Sequence, residues 1–357
     1  MVKTLLYITN GLSGSGGLER VVCLKASYFA DTLGHNVHII ILNEKHQNPY
    51  YELSGKVILH NVEATGNIFR FSRQYFYGIK KFIHKIAPDV IFVADDGLKG
   101  LYIPLIFKYP AKFIYERHTT KAINGSGLKA FIINRMMDFG SRYFNRFVVL
   151  TESNRKDWKY ANGLTVIPNP LPFSCKEVPS VDSREKIISV GSMSRVKGHD
   201  LLIKAWAKIH DRFPKFTLHI YGAPKDNFSM MENLIYDNKM QNTVFLHPPQ
   251  HYIKEKYVES AVCILPSRVE GFGMVLIEAM ECGTPCIATS CEGPMDIIKH
   301  EENGIIVPTN DSEAIAQAIS SLLSDKSKLL RYSHNAKISA SRYSIDVIMQ
   351  NWIHLIN

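Results

Sequence analysis

The chain is predicted to fold as two α/β domains, each Rossmann-like, joined by a proline-rich connection. Three observations carry that expectation. Apolar runs of strand length alternate with amphipathic stretches of helical period through the first half. The alternation breaks between 169 and 186, where Pro170, Pro172 and Pro179 follow Pro168 among polar residues. It then restarts with a new apolar run. Length agrees, because 357 residues is long for one domain and comfortable for two of about 150–180. The boundaries read as 1–168 for the first domain, 169–184 for the hinge and 185–342 for the second domain.

Thr4–Thr9 is the first strand, ended by Asn10 and the glycines that follow. Leu18–Leu33 has helical spacing, and Val37–Leu42, rich in β-branched residues, is the next strand. After a less regular stretch, Phe71–Ile86 reads as a basic amphipathic helix. Val90–Ala94 and Phe113–Glu116 are buried strands, Leu128–Phe144 is helical, and Phe147–Thr151 is the last strand of this half. In the second half Ile187–Gly191, Thr217–Tyr221, Val244–Leu246, Val262–Leu265 and Cys286–Thr289 are strands, and His199–Arg212 is a helix. Met274–Cys282 is a short helix closed by Gly283, with Pro285 just beyond. Pattern alone does not place the final helix, Ile345–Ile356. Ligands of such sheets sit outside the carboxyl ends of the strands, so loops from both domains are expected to face a shared central cleft.

Composition narrows the class. With 46% hydrophobic and 21% charged residues, a packed core needs no metal or disulfide. The six cysteines contain no C-x-x-C pair, and no histidine pair completes a zinc pattern around Cys282, Cys286 and Cys291. Reduced core thiols are expected. No run approaches the ~20 apolar residues of a membrane span, and the N-terminal segment lacks a small-residue cleavage site. A cytoplasmic location is therefore expected. A net charge of +9 calls for an anionic partner: nucleic acid, an anionic membrane face or a diphosphate. Nucleic-acid module signatures are absent.

The stretch Ser267–Pro285, SRVEGFGMVLIEAMECGTP, carries the most chemistry. Glu270 and Glu278 flank a Gly271-Phe272-Gly273 turn, one in the loop and one on the second helical turn. Free N–H groups of Gly273, Met274 and Val275 at a helix N-terminus make a site for a diphosphate. Two carboxylates beside it suit a nucleotide-sugar, one for sugar hydroxyls and the other for a ribose. The first loop, Gly11–Arg20, is glycine-rich and lets backbone approach a phosphate or sugar closely. Val190–Asp200, VGSMSRVKGHD, puts Arg195 and Lys197 on a strand-to-helix loop where they either neutralise a diphosphate or remain solvated charges. His118 follows a buried strand, in YERHTT, with Glu116 and Arg117 as weaker candidates.

Together these segments resemble the retaining glycosyltransferases of the two-domain GT-B fold, in family 4 (group 1). Glu270 and Glu278 match the family's E-x7-E motif, and Gly16, Gly17 and Glu19 its GG-x-E loop. Lys197 and Gly198 match the KG of the VGR-x4-KG loop, but Ser192 stands where the family carries arginine, and Arg195 is the candidate replacement. Ile167–Pro170 and Glu292–Asp296 resemble the family's IPNP and G-G-x-x-[ED] segments, and His118 its E-x-H histidine. The resemblance implies a nucleotide-diphosphate-sugar donor held in the second domain and an acceptor, glycan or lipid-linked, held by the first. It implies Glu270, His118, Lys197 and Arg195 as catalytic residues. Gly16, Gly17, Ser192, Lys197, Glu270, Gly271, Phe272, Gly273, Met274, Val275 and Glu278 would bind the donor. It also implies a C-terminal helix, about 343–357, packed back on the first domain, and a role in surface polysaccharide biosynthesis. No D-x-D occurs, since Asp95 and Asp96 are adjacent, so no metal or other cofactor is expected. Lys80, Lys81 and Lys85 beside aromatic residues either bind the anionic inner membrane face peripherally or form a solvated basic face. Two other classes compete. Glu44, after the second strand, lies where an acid would grip the ribose of NAD in an oxidoreductase, and the net charge would also suit a non-catalytic polyanion-binding protein.

Overall fold

A computed structural model of the chain describes residues 1–95, 97–176 and 179–357. Asp96 of the acidic pair and residues 177–178 of the hinge lie outside the described residues. The chain divides into two compact units, Met1–Pro168 with Met349–Asn357, and Asn169–Ile348.

Unit 1 runs β1 (Thr4–Thr9), α1 (Gly17–Asp31), β2 (Asn36–Leu42), β3 (Ile58–Val62), α2 (Ile68–Ile86), β4 (Val90–Ala94), α3 (Leu98–Leu101), α4 (Ile103–Ile106), β5 (Lys112–Arg117), α5 (Leu128–Ser141), β6 (Arg146–Val149), α6 (Glu152–Arg155) and β7 (Leu164–Val166). Its parallel sheet has the order β3-β2-β1-β4-β5-β6-β7. Both faces are covered, so the central strands are apolar throughout: all five residues of β4 are buried. Right-handed crossovers put the connections that move toward β3 on one face and those that move toward β7 on the other. Thus α2, α3, α4 and α5 share one layer. Strands β3 and β7 escape the apolar-run criterion because they are edges. One carries His60 and Asn61, and the other is three residues long.

Unit 2 runs β8 (Lys186–Val190), α7 (His199–Ala207), β9 (Thr217–Tyr221), α8 (Phe228–Asp237), β10 (Val244–His247), α9 (Ile253–Val258), β11 (Ser260–Leu265), α10 (Met274–Glu281), β12 (Cys286–Thr289), α11 (Glu292–Ile297), β13 (Gly304–Val307), α12 (Ser312–Ser324) and α13 (Lys326–Ala340). Its parallel sheet is ordered β10-β9-β8-β11-β12-β13. The helix expected over His199–Arg212 ends at Ala207, and His210–Arg212 is a separate 3-10 turn ahead of Pro214. All six cysteines are buried and free. Among the described residues, no helix is long and apolar enough to cross a membrane.

The last helix, α14 (Ile345–Ile356), contributes its residues from Met349 onward to unit 1. Trp352 meets Phe92 edge-on at 5.9 Å, and Lys112 Nζ donates to the Leu355 carbonyl at 2.6 Å. Beneath it lies a fully buried ion pair. Lys25 Nζ is 2.6 Å from Glu116 Oε2 and 3.3 Å from the centroid of the Trp352 ring. Burial pulls the Lys25 amine down to about 8, against the opposing pull of Glu116. Burial pushes the Glu116 carboxyl up, yet Lys25 and His118 outweigh it and hold it below its usual range.

Candidate functional site

In each parallel sheet the strand order reverses at one point, between β1 and β4 and between β8 and β11. Loops leaving the carboxyl ends of such a strand pair diverge to opposite faces and open a crevice. The two loops singled out in the second half of the sequence, after β8 and after β11, meet at that position.

Their meeting depends on glycine. Gly198 has φ +68°, and a Cβ there would stand 2.0 Å from the Pro266 carbonyl oxygen at the end of β11. This close approach brings Lys197 Nζ to 2.7 Å from Glu270 Oε2, with the Ser267 hydroxyl donating to the same oxygen at 3.2 Å. Arg268 braces both loops. It forms a two-pronged pair with Asp200 at 2.8 Å on each prong, and it donates to the Arg195 carbonyl at 2.6 Å. Burial pushes the Asp200 carboxyl up, but Arg268 and Asn227 outweigh it and keep it ionised below its usual range.

His199 props the loop from beneath. It is fully buried, and desolvation lowers it to about 4, so the ring is neutral at pH 7. Its Nε2 lies 3.2 Å from the Gly191 carbonyl, which can only accept; Nε2 therefore carries the proton, and Nδ1 faces the Ser189 hydroxyl at 3.2 Å. Because folding depresses this pKa, the neutral ring's stabilisation is full above about pH 6.5 and is lost as pH falls toward 4. Wild type is expected to lose denaturant midpoint over that window, and His199→Gln to lose less of it. Parallel pH profiles of the two proteins would discount the buried ring.

Gly273, with φ +99°, caps α10 and offers no side-chain acceptor to the first N–H groups of the helix. Met274 and Val275 are half-buried, while Gly271, Phe272 and Gly273 are buried. The Glu292–Asp296 segment backs this turn. Gly293 donates to the Glu270 carbonyl at 3.3 Å, and a Cβ on it would meet Phe272 backbone at 2.5 Å. Glu278 lies inward at 1% exposure, where the Tyr257 hydroxyl donates to it at 3.1 Å. Ser192 contacts Ser194 at 3.2 Å. The Arg195 guanidinium is exposed and meets no partner among the described residues.

In unit 1 the crevice between β1 and β4 gathers Asn10, Asp95 and Lys99. Asn10 Nδ2 donates to Asp95 Oδ1 at 3.2 Å, and Lys99 Nζ lies 3.6 Å from Asp95 Oδ2 and also donates to Asn10. His118 follows the neighbouring strand, its side chain 6% exposed and its Nε2 3.4 Å from Glu116 Oε2. Arg117 turns back to its own loop, donating to the Thr119 and Thr120 carbonyls. In the glycine-rich loop, Gly16 caps α1 with no side-chain bond, Gly17 begins the helix, and the Glu19 carboxylate folds back against Gly14 and Gly16. Glu44 has a different employment from the ribose contact that an oxidoreductase needs. It accepts from the Leu12 N–H at 2.7 Å, from the Ser13 N–H and from the Ser13 hydroxyl. An acid that occupies the loop's own amides holds a turn in shape and takes them from a dinucleotide phosphate.

Arg268, Asp200, His199 and Asp95 are the residues that sequence reasoning missed. Arg268 meets Asp200 across 68 residues and Asn10 meets Asp95 across 85, pairings that only the strand order reveals, while His199 acts within its own strand and loop on Ser189 and Gly191. Asp200 and His199 directly follow the Lys197-Gly198 pair, a position that marks them as part of the same turn.

Residues 174–339 match the family Glycosyl transferases group 1, and residues 15–173 match Glycosyltransferase Family 4. An uncharacterized glycosyltransferase of Haemophilus influenzae is 25% identical over 99% of both chains. The amylovoran biosynthesis glycosyltransferase AmsD of Erwinia amylovora is 23% identical, again over 99% of both. Among solved structures, Anabaena HepE in complex with UDP and glucose superposes with a TM-score of 0.81 at 18% identity, covering 99% of each chain.

Proposed function

The chain belongs to the GT-B glycosyltransferases of group 1 and family 4, and from that premise we propose the reaction and its participants. A hexosyl or related sugar passes from a nucleotide-diphosphate donor to a hydroxyl of a glycan or lipid-linked acceptor. Anomeric configuration is retained, and no metal takes part. The single observation carrying this reading is the Lys197–Glu270 pair at 2.7 Å, close in the chain to the N-terminus of α10, whose Gly273 N-cap makes no side-chain cap hydrogen bond. A diphosphate there gains the ammonium and the helix dipole together. As the nucleotide departs, charge grows on that diphosphate, and cationic groups already in place stabilise it. Lys197 and Arg195 take that role in place of a metal. Glu270 accepts from the sugar's hydroxyls, and Glu278 from the ribose. His118 and the carboxyl edge of the first sheet serve the acceptor side. Bound UDP and glucose are properties of HepE, and amylovoran synthesis is the business of AmsD. A comparable sugar nucleotide and a polysaccharide product are the reading for this chain.

A calorimetric titration of UDP-, GDP- and ADP-sugars in EDTA tests it. One donor class is expected to bind without added metal, and Glu278→Ala is expected to weaken that donor by about 1.5–3 kcal/mol through loss of a charge-assisted contact. Binding that appears only with Mg²⁺ or Mn²⁺ overturns the metal-free mechanism. Unchanged affinity in folded Glu278→Ala overturns the ribose assignment.

A further inference from the structure

Helix α5 is amphipathic in the wrong sense for a helix that covers a sheet. It docks through small or narrow positions, Ala130, Met137, Gly140 and Ser141, all buried. Gly140 allows the approach, because a Cβ there would lie 3.0 Å from Leu101 Cβ and 3.1 Å from the Leu101 carbonyl. The Tyr102 hydroxyl ties the helix down by donating to the Met136 carbonyl at 3.1 Å. Met137 and Ile133 face the core, and the remaining large apolar side chains point outward. Leu128 is 75% exposed and Phe131 62%, with Ile132, Met136 and Phe139 on the same exposed face. Five neighbouring apolar side chains left in water exceed the scattered exposure ordinary for a surface.

Charge says what covers this face. Lys129 flanks it, Arg135 stands within it and Arg142 lies at its end, all exposed, while the one acid of the helix, Asp138, is tied to Lys121. In the same layer α2 contains no acid and presents Arg70, Arg73, Lys80, Lys81 and Lys85 to solvent. It also has Phe69 exposed at its start. An outward apolar strip accompanied by long cationic side chains is the chemistry of a surface that lies in the headgroup region of an anionic bilayer. A protein partner with an equally apolar face would not require this excess of positive charge on α5 and α2. We infer that the α5 face inserts into anionic lipid while α2 supplies electrostatic attraction alongside. Sequence pattern pointed to α2 alone; the exposed apolar strip on α5 makes it the inserting element. The inference uses only residues of α2 and α5 and does not rest on the donor assignment.

The full chain mixed with vesicles of two parts phosphatidylcholine to one part phosphatidylglycerol is expected to sediment with them, and much less with phosphatidylcholine alone. High salt should release the component due to α2 and leave part of the binding. Leu128→Ser/Phe131→Ser/Ile132→Ser alters exposed side chains only and should cut the partition coefficient by about tenfold or more. Lys80→Ser/Lys81→Ser/Lys85→Ser should remove mainly the salt-sensitive part. All three tryptophans, Trp158, Trp206 and Trp352, are buried, so Phe131→Trp adds a reporter whose emission should shift blue on these vesicles and be quenched by brominated lipid. Equal binding by the α5 triple variant overturns the inference, as does a Phe131→Trp emission indifferent to vesicles. A chain that is dimeric in solution, made monomeric by the α5 variant and without vesicle binding, would identify the face as a self-interface and overturn it equally.

Discussion

Lys197→Ala is expected to lower kcat by roughly 10²–10³, the loss typical of a preorganised electrostatic donor. The ammonium sits at the point where strand order reverses, held by Glu270 at 2.7 Å beside the start of α10. Charge on the leaving diphosphate grows toward the transition state, so removal should fall on kcat more than on donor affinity. Lys197→Arg should recover only part of the rate, because the guanidinium is broader and its donors are differently placed. Arg195→Ala makes an informative companion. Its side chain is exposed and free of partners among the described residues, so a comparable loss would show it serving where Ser192 cannot. A folded Lys197→Ala enzyme that transfers sugar at the wild-type rate would sink the leaving-group role. Single-turnover rates with saturating donor are the measurement that separates these outcomes.

Lys25→Met should destabilise unit 1 by about 3–5 kcal/mol, the cost of leaving one member of a buried ion pair uncompensated. Here the stranded group would be the Glu116 carboxylate, 2% exposed, with His118 as its remaining close cation candidate. The same change removes the ammonium lying 3.3 Å from the Trp352 ring. Loosening of the C-terminal helix should accompany the loss, seen as a red shift of tryptophan emission at low denaturant. Lys25→Met/Glu116→Leu should be more stable than Lys25→Met alone, since no isolated charge is then buried. An unchanged midpoint for the single variant would mean the pair adds nothing that a methionine cannot replace.

Legibility of the fold varied by element for a physical reason. Strands buried on both faces, such as β4 and β11, appear as continuous apolar runs because both sides of each strand meet protein. Edge strands β3 and β7 face water on one flank, carry polar residues or are very short, and merge with the surrounding loops. Strand β13 is also an edge and only four residues long, so its apolar run, GIIV, is too brief to stand out. Of the site, Lys197 and Glu270 were legible separately through their glycine-flanked settings. Their partnership was not, because 73 residues separate them.

Sequence by itself determined the two α/β halves, the family likeness and the loops at the carboxyl ends of the strands. Local periodicity and short motifs are properties of contiguous residues, and contiguous residues are what a sequence displays. Tertiary structure alone decided that the β8 and β11 loops share one crevice, that Glu44 shapes the first loop, and that Lys25, Glu116 and Trp352 form one buried cluster. It also turned the apolar side of α5 outward, against the usual rule for a helix on a sheet. Each of these depends on strand order and on which helix face finds room for a close approach. Gly198 against Pro266 and Gly140 against Leu101 are the contacts that settled two of them, and neither is visible until the chain has folded.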